Sequence, residues 1–185
     1  MDKEKRTGWG FVPEEVIPDD QFLFLNYVNK KFNNQEDLKK WKTDYSWNNN
    51  NNWNGELCDM SQPQPTWNQT VIDWASKELQ IKDIGTSYFR LTPGSCLPLH
   101  RDTYATYKEL FDCKINDIIR CIVFLQEWRP GHFLQVETKN GAPRHYEIVA
   151  NYPRLKYFWW RGDTEHSAAN IGDTSRYTLQ ITGHE

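Results

Sequence analysis

Two histidines and one aspartate, widely separated in the chain, are the residues best suited to metal chemistry. His100 and Asp102 are separated by one residue, and His166 follows much later. Two imidazoles and one carboxylate on one side of a metal leave the other coordination positions open, which suits a non-haem ferrous ion that also binds a cosubstrate and oxygen. Arg176, further along the chain, is then available to bind a dicarboxylate cosubstrate. The sequence therefore predicts a type of reaction and says little about the substrate.

The spacing of the first pair predicts that both side chains point the same way. Successive side chains of a strand point to opposite faces, so His100 and Asp102 share one side while Arg101 points away. His166 must come from elsewhere in the fold, and Arg161-Gly162-Asp163 before it indicates a loop. The alternative interpretation is an ordinary exposed His-Asp pair with an unrelated loop histidine.

The final strand carries the predicted anchor for a carboxylate. Arg176 and Thr178 should share one face of that strand, with Tyr177 on the other. A guanidinium offers a planar fork that matches a carboxylate, and a hydroxyl adds one more hydrogen bond. The alternative is a surface arginine paired with an acidic neighbour such as Asp173, which would contribute little.

The order of these features resembles a known enzyme family. The His-x-Asp pair ends the extended segment Leu97–Asp102, the aromatic run Tyr157–Trp160 precedes His166, and Arg176-Tyr177-Thr178 lies on the closing strand. On these residues the stretch from Tyr88 to Gly183 resembles the Fe(II)- and 2-oxoglutarate-dependent dioxygenases. It is most similar to the aspartyl/asparaginyl β-hydroxylase-like and prolyl-hydroxylase-like members.

This resemblance implies a fold, a ligand set and an activity. The family core is a double-stranded β-helix of the jelly-roll, or cupin-like, type, and its H-x-D…H set would make His100, Asp102 and His166 the iron ligands. Arg176 and Thr178 match the family's R-x-S pattern for the far carboxylate of 2-oxoglutarate, with oxygen as the second cosubstrate. Some aspartyl β-hydroxylase relatives lack the carboxylate ligand, so Asp102 makes this chain more similar to the general superfamily.

The activity implied is hydroxylation of an unactivated C–H bond with release of succinate and carbon dioxide. Subfamily likeness favours an amino-acid side chain as the acceptor, either in a free amino acid or in a peptide. Desaturation and demethylation are other outcomes that the superfamily allows. The metal ligands are not expected to act as general acids or bases.

Arg120 is a further candidate for binding the cosubstrate, because it interrupts the apolar run 118–125. A charge facing the interior there is costly unless an anion accompanies it. In β-hydroxylase-like members an arginine in a comparable strand helps to hold the cosubstrate, although the histidine that they place two residues later is Ile122 here. A structural ion pair is the equal alternative.

Aromatic and basic residues near the Pro93-Gly94 turn supply weaker candidates for a substrate pocket. Tyr88 and Arg90 lie two apart on the strand that enters this turn and are candidates to face the site. Their residue types favour the alternatives, which are core packing for Tyr88 and solvent exposure for Arg90. The tryptophans at 128, 159 and 160 could line a pocket or belong to the core.

Near residue 84 the sequence changes from helix- and loop-forming patterns to short runs typical of strands. We expect one domain over 1–185, in which 1–83 is a helical and loop-rich support and 84–185 is the β-helix core. Helices are predicted over 66–80, near 36–41, and over 19–32, where Phe22–Leu25 could instead be a strand; Asn48–Asn52 is predicted to be an exposed loop. Strands are predicted at 85–92, 97–102, 118–126, 133–137, 146–149, 157–160 and 177–182.

Composition limits the partners. The 185 residues carry a formal charge of −3, which gives no general attraction for nucleic acid or for an anionic membrane. The four cysteines form no C-x-x-C pair, and no apolar stretch suits a signal peptide or a membrane span. We expect a cytoplasmic protein that acts on a small molecule or a peptide; the oligomeric state is left open.

Two other functions are compatible with the same sequence. A non-catalytic jelly-roll module could bind carbohydrate through Trp9, Trp47 and Trp53. The same metal ligands could also serve a cupin-like isomerase or hydrolase that uses another divalent ion. Oxygen-dependent conversion of 2-oxoglutarate to succinate would distinguish the oxygenase from both of these alternatives.

Overall fold

Two antiparallel sheets face one another and form the body of the protein. The computed structural model describes residues 5–18, 20–28, 39, 42–44, 46, 55–58, 64–139 and 143–185. The strands are β1 (Thr7–Phe11), β2 (Tyr27–Val28), β3 (Glu56–Cys58), β4 (Lys82–Leu91), β5 (Ser95–His100), β6 (Ile118–Phe124), β7 (His132–Lys139), β8 (His145–Val149), β9 (Lys156–Arg161), β10 (His166–Asn170) and β11 (Arg176–His184). Besides helical residues at 39 and 42–44, the described part of the chain contains the helices α1 (Asn68–Leu79) and α2 (Ala105–Phe111), with short 3₁₀ helices at Glu14–Val16, Gln21–Phe24 and Ile115–Asp117.

The strand order is that of a double-stranded β-helix. The larger sheet runs β1-β9-β6-β11-β4-β3-β2, and the smaller one runs β5-β10-β7-β8. Strands that are neighbours in space are mostly distant in the sequence, as in a jelly roll. The predicted fold class, mainly β with helices toward the N-terminus, is confirmed.

Both faces of the larger sheet are buried. On one face α1 packs its apolar stripe of Val71, Ala75 and Leu79 against strand residues such as Leu179 and Ile181. These three side chains therefore belong to the core of the protein. The helix begins at Asn68 rather than at Thr66, and no side chain caps it.

The other face of the larger sheet looks toward the smaller sheet. A second apolar cluster fills part of this space, with Phe89 and Ile122 from the larger sheet and Leu134 and Ala168 from the smaller one. The remaining space between the sheets is a cavity.

The N-terminal part differs from the sequence prediction. Strands β1, β2 and β3 all precede residue 84 and extend the larger sheet, so this part is not only helical support. The segment around Phe22 is a short 3₁₀ helix, neither the predicted long helix nor a strand. The predicted helix at 36–41, apart from Lys39, and the Asn48–Asn52 loop lie outside the described residues.

Each of the four cysteines is described, and none forms a disulfide. In the described part of the chain, no helix combines the length and the apolar composition needed to cross a membrane.

Candidate metal and anion site

The structure brings His100, Asp102 and His166 to one point between the sheets. One ligand atom from each residue lies within 4.8 Å of the other two. His100 Nε2 is 3.5 Å from Asp102 Oδ1, and His166 Nε2 is 3.8 Å from Asp102 Oδ2. The donor set of two imidazoles and one carboxylate is the one expected at a ferrous site with open positions.

Paired strand ends position the two histidines. His100 is the last residue of β5 and His166 the first of β10, and the two are direct partners in the antiparallel ladder. His166 therefore lies in a strand, not in the predicted loop. Asp102 lies beyond the end of β5, so strand alternation is not what aligns it with His100. Arg101 points away as predicted, toward Glu165 and Glu137 at 3.5 and 3.7 Å.

Backbone carbonyls orient both imidazole rings. Nδ1 of His100 is 2.6 Å from the carbonyl of Pro98, and Nδ1 of His166 is 3.2 Å from the carbonyl of Thr164. A proton on Nδ1 that is donated to each carbonyl leaves the Nε2 lone pair facing the common centre. Such outer contacts fix the tautomer of histidines that bind metals.

Charge at this point also suits a cation. Burial, with a smaller contribution from His100, lowers the pKa of His166 to about 4, so its imidazole is neutral near pH 7. Burial alone would raise the pKa of Asp102, but the Arg120 guanidinium and the hydrogen bond with His100 hold it well below its ordinary value. Neutral imidazole and ionised carboxylate are the forms that bind metals.

Arg120 is already paired. Its Nη2 donates to Asp102 Oδ2 at 3.0 Å, and its Nε donates to the Tyr104 hydroxyl at 3.3 Å. The guanidinium also lies 5.1 Å from the centre of the Tyr104 ring. The structure thus shows the ion pair that was one of the two sequence interpretations. Tyr104 was not identified from the sequence as part of the site. The only signal for it in the sequence is its position two residues after Asp102.

A cavity of about 170 Å³ runs between the sheets and contains both the His-Asp-His group and Arg176. Much of its wall is apolar, with side chains from both sheets. The apolar residues include Phe89, Leu91, Ile122, Leu134 and Trp160. Walls of this kind exclude water and strengthen electrostatic interactions with any bound ion.

Arg176 is a buried cation in this cavity. It is 4 % exposed, and its Nη1 donates to the carbonyl of Phe133 at 2.6 Å. No carboxylate pairs with it in the described part of the chain, and its Nε has no acceptor there. The alternative of a surface pair with Asp173 is wrong. Burial lowers the pKa of Arg176, but the ordinary pKa of a guanidinium is so high that the group stays charged near pH 7.

The predicted faces of the last strand are correct. Thr178 lines the cavity together with Arg176. Tyr177 points the other way and packs 5.3 Å from Phe22 and 5.5 Å from Tyr27, measured between ring centres. A guanidinium and a hydroxyl therefore lie side by side in the cavity, without an acidic partner among the residues described.

Neither Tyr88 nor Arg90 lines the cavity, and the alternative of core packing is correct for Tyr88. Tyr88 is fully buried in the helix-side core, and Arg90 pairs with Glu56 and lies 5.0 Å from the Tyr27 ring centre. The cavity-facing residues of β4 are Ser87, Phe89 and Leu91. A one-residue error in strand parity exchanges the two faces, which is the physical reason for the miss.

The tryptophans named in the sequence analysis lie in different parts of the structure. Trp160 lines the cavity with its ring centre 4.9 Å from that of His166, while Trp159 belongs to the helix-side core. Trp128 donates to the carbonyl of His132 and packs against the inter-sheet cluster. Trp9 is exposed on β1. Trp47 and Trp53 lie outside the described residues.

Comparison with known proteins extends the fold assignment. No protein-family model matches the sequence, and no curated protein sequence does. Among solved structures, the chain is similar to a Pseudomonas putida prolyl-4-hydroxylase, at 12% identity, with 98% of this chain and 93% of that chain covered and a TM-score of 0.57. It is also similar to SnoK, a non-heme alpha-ketoglutarate-dependent carbocyclase of nogalamycin biosynthesis, at 10% identity, with 95% and 87% covered and a TM-score of 0.58.

A third similar structure is SnoN, a non-heme alpha-ketoglutarate-dependent epimerase from the same biosynthesis. The identity is 12%, with 71% of this chain and 61% of that chain covered and a TM-score of 0.53. At such identities the likeness shows a shared fold, the double-stranded β-helix, and the site must be interpreted from its own residues.

Proposed function

We propose that this protein is an Fe(II)- and 2-oxoglutarate-dependent oxygenase that hydroxylates an unactivated C–H bond. The observation that carries the proposal is the pairing, in one cavity, of a His-Asp-His group with a buried arginine that has no acidic partner among the described residues. One feature calls for a cation and the other for an anion. A dicarboxylate that also chelates a metal satisfies both.

The first half of the proposal concerns the metal. His100 and His166 would bind Fe(II) through Nε2, and Asp102 through one carboxylate oxygen. Arg120 holds Asp102 Oδ2 at 3.0 Å, which favours the use of Oδ1 as the single ligand atom. Three protein ligands leave open positions for a cosubstrate and oxygen.

The second half concerns the cosubstrate. Arg176 would bind the far carboxylate of 2-oxoglutarate through the guanidinium edge that lacks a partner, with help from the Thr178 hydroxyl. Burying a charge without a counter-ion is costly, so a site of this kind is most stable when an anion occupies it. The 2-keto acid group at the other end of the molecule is then directed along the cavity toward the histidines.

Iron bound here with 2-oxoglutarate and oxygen would supply the oxidation: one oxygen atom goes into succinate as carbon dioxide leaves, and the other is inserted into a substrate C–H bond. The protein residues bind and orient the reactants. Apolar walls, including Leu134 and Trp160, exclude water from the reacting centre. His100, Asp102 and His166 act as ligands and transfer no proton.

The proposed acceptor is an amino-acid side chain, in a free amino acid or in a peptide. The prolyl-4-hydroxylase among the similar structures supports hydroxylation of this kind. The epimerase and the carbocyclase show that enzymes of the same fold can end in other products. Hydroxylation is therefore the specific part of the proposal that product analysis must establish.

The test is oxygen-dependent conversion of 2-oxoglutarate. Protein loaded with Fe(II) under anaerobic conditions and then exposed to oxygen should form succinate and carbon dioxide in equal amounts. The His166→Ala variant should form neither above background. Metal binding without oxygen-dependent succinate, across a broad panel of amino acids and peptides with ascorbate present, would instead favour a cupin-like isomerase or hydrolase. Failure to bind metal at all would favour a binding module.

A further inference from the structure

Ser87 and Gln180 form a polar pair on the cavity wall. They are direct partners on neighbouring strands β4 and β11, and both side chains face the cavity. Gln180 follows Arg176 and Thr178 on the same face of β11. Because a strand rises about 3.4 Å per residue, Gln180 lies roughly 7 Å beyond Thr178 and roughly 14 Å beyond Arg176.

The register places this pair near the level of the metal ligands. The next residue on the same face of β11 is Thr182, whose partner on β6 is Arg120. Arg120 in turn holds Asp102. The Ser87–Gln180 pair thus lies past the carboxylate anchor, one same-face position before the level of Arg120 and the metal ligand that it holds.

The pair has unused hydrogen-bonding capacity. Within the described residues, neither Ser87 nor Gln180 makes a side-chain hydrogen bond, and both are half-buried. The outer face of the smaller sheet offers a contrast, because Ser167 there donates to Gln135 Oε1 at 3.2 Å. The same two residue types satisfy each other on the outside of the protein and stay available inside the cavity.

The charges of the cavity wall limit what this pair can receive. Among the described residues that line the cavity, the charged side chains are Asp102, Arg120 and Arg176. Asp102 and Arg120 are paired with each other at the proposed metal site, and Arg176 is assigned to the cosubstrate, so none of the three is left for a charged group of the substrate. A free amino acid would bring an ammonium and a carboxylate into this space without partners, which costs free energy.

We infer that the Ser87–Gln180 pair binds a neutral amide of the substrate, so that the enzyme acts on a residue within a peptide rather than on a free amino acid. A glutamine side chain offers both donors and an acceptor, and a serine hydroxyl offers one donor and an acceptor, which together match the C=O and N–H groups of a peptide. This inference rests on the proposed function, since it concerns the same cavity.

The experiment uses protein loaded with Mn²⁺ and 2-oxoglutarate, and two probes with the same side chain: N-acetylalanine N-methylamide and free alanine. Mn²⁺ in the site broadens the proton NMR signals of a probe that binds beside it. The blocked alanine should be broadened in a saturable manner, and free alanine at most a tenth as strongly at equal concentration. Gln180→Leu and Ser87→Ala should each weaken binding of the blocked probe by roughly three- to ten-fold, the range for one lost hydrogen bond.

Gln135→Leu is the matched control and should leave the binding of both probes unchanged. Calorimetry on the same samples should show unchanged affinity for 2-oxoglutarate in all the variants. If Gln180→Leu is poorly folded, Gln180→Glu preserves the size of the side chain and should also weaken binding of the blocked probe.

Three results would overturn the inference alone: equal binding of free alanine, unchanged binding of the blocked probe in the Gln180 and Ser87 variants, or a loss of 2-oxoglutarate affinity that equals the loss for the probe. The last would place Gln180 in the cosubstrate site. If the wild-type protein binds neither Mn²⁺ nor 2-oxoglutarate, the proposed function fails first and the inference fails with it.

Discussion

Two arginines line the same cavity, and their surroundings differ. Arg120 lies beside the metal ligands and pairs with Asp102 at 3.0 Å. Arg176 donates to a backbone carbonyl and lies near the Phe124 ring and the Tyr152 side chain, and no carboxylate pairs with it among the described residues. The region around Arg120 is electrostatically balanced by the protein itself, while the region around Arg176 is balanced only when an anion binds.

This difference separates a structural charge from a binding charge. A buried cation that has an anionic partner maintains the shape of a site. A buried cation without such a partner carries an uncompensated desolvation cost, which a bound anion offsets. Sequence alone shows two arginines in apolar strands. The contacts show which of them is available to a dicarboxylate.

The largest effect is expected at the metal. His166→Ala should lower the affinity for Fe(II) by more than about a hundred-fold, beyond the loss typical of residues that only support a ligand. Anaerobic titration with Fe(II) measures this affinity, and circular dichroism checks that the fold survives. His145→Ala, at an exposed position on β8, is the control and should bind iron normally. Stoichiometric iron binding by His166→Ala would remove this residue from the ligand set.

The second effect concerns the unpaired arginine. Arg176→Met should weaken 2-oxoglutarate binding to the Mn²⁺-loaded protein by roughly 1.5–3 kcal/mol, the scale of a lost charge-assisted hydrogen bond. The free energy of unfolding without ligands should fall by less than about 1 kcal/mol, since the variant also removes an uncompensated buried charge. Calorimetry and denaturant titration measure the two quantities. Unchanged cosubstrate affinity would contradict the role of Arg176.

The matched variant at the paired arginine, Arg120→Met, should lose more stability than Arg176→Met. Breaking a fully buried ion pair costs about 3–5 kcal/mol, and both partners here keep some exposure, so Arg120→Met should lower the free energy of unfolding by about 2 kcal/mol. Saturating Mn²⁺ should recover at least half of this loss, because the metal then compensates Asp102. Denaturant titration with and without Mn²⁺ tests this. Equal stability losses for the Arg120 and Arg176 variants would erase the distinction between the two regions.

The smallest effect is expected at Tyr104. Tyr104→Phe removes the hydroxyl that accepts from Arg120 Nε, so Asp102 is held less firmly. Metal affinity should fall by about ten-fold, the lower end of the range for residues that support a ligand. Tyr107→Phe loses a comparable hydrogen bond, to the carbonyl of Asp83 at 2.8 Å, and should bind metal normally. Equal metal affinities in the two variants would show that Tyr104 does not position Asp102.

The parts of the site that follow from local chemistry could be predicted from the sequence. The H-x-D pair and the later histidine could be chosen as ligands from residue type and order, and the two faces of β11 follow from the strand period. The strand period does not explain Asp102, which lies beyond the end of β5. The faces of β4 could not be assigned, because α1 buries one face and the second sheet covers the other. Apolar residues then occur in both parities, and the alternation that distinguishes inside from outside is lost.

Four strands, β1, β2, β3 and β10, were not predicted, and the reasons are clear for β10 and β1. β10 consists of His-Ser-Ala-Ala-Asn, which contains no β-branched or aromatic residue, so its strand structure comes from its neighbours β5 and β7. β1 contains Gly8 and Gly10, residues that weaken a strand. A Cβ atom at Gly8 would lie within 2.5 Å of the Trp159 indole nitrogen, so close packing of β1 on β9 requires glycine there.

The most direct test of the whole account compares 2-oxoglutarate with glutarate, which has both carboxylates and lacks the keto group. Calorimetry should measure each affinity with and without Mn²⁺. If one molecule spans Arg176 and the metal, Mn²⁺ should tighten binding of 2-oxoglutarate by at least ten-fold and leave that of glutarate almost unchanged. Equal effects of Mn²⁺ on the two dicarboxylates, or none on either, would contradict the claim that the two regions of the cavity hold a single cosubstrate.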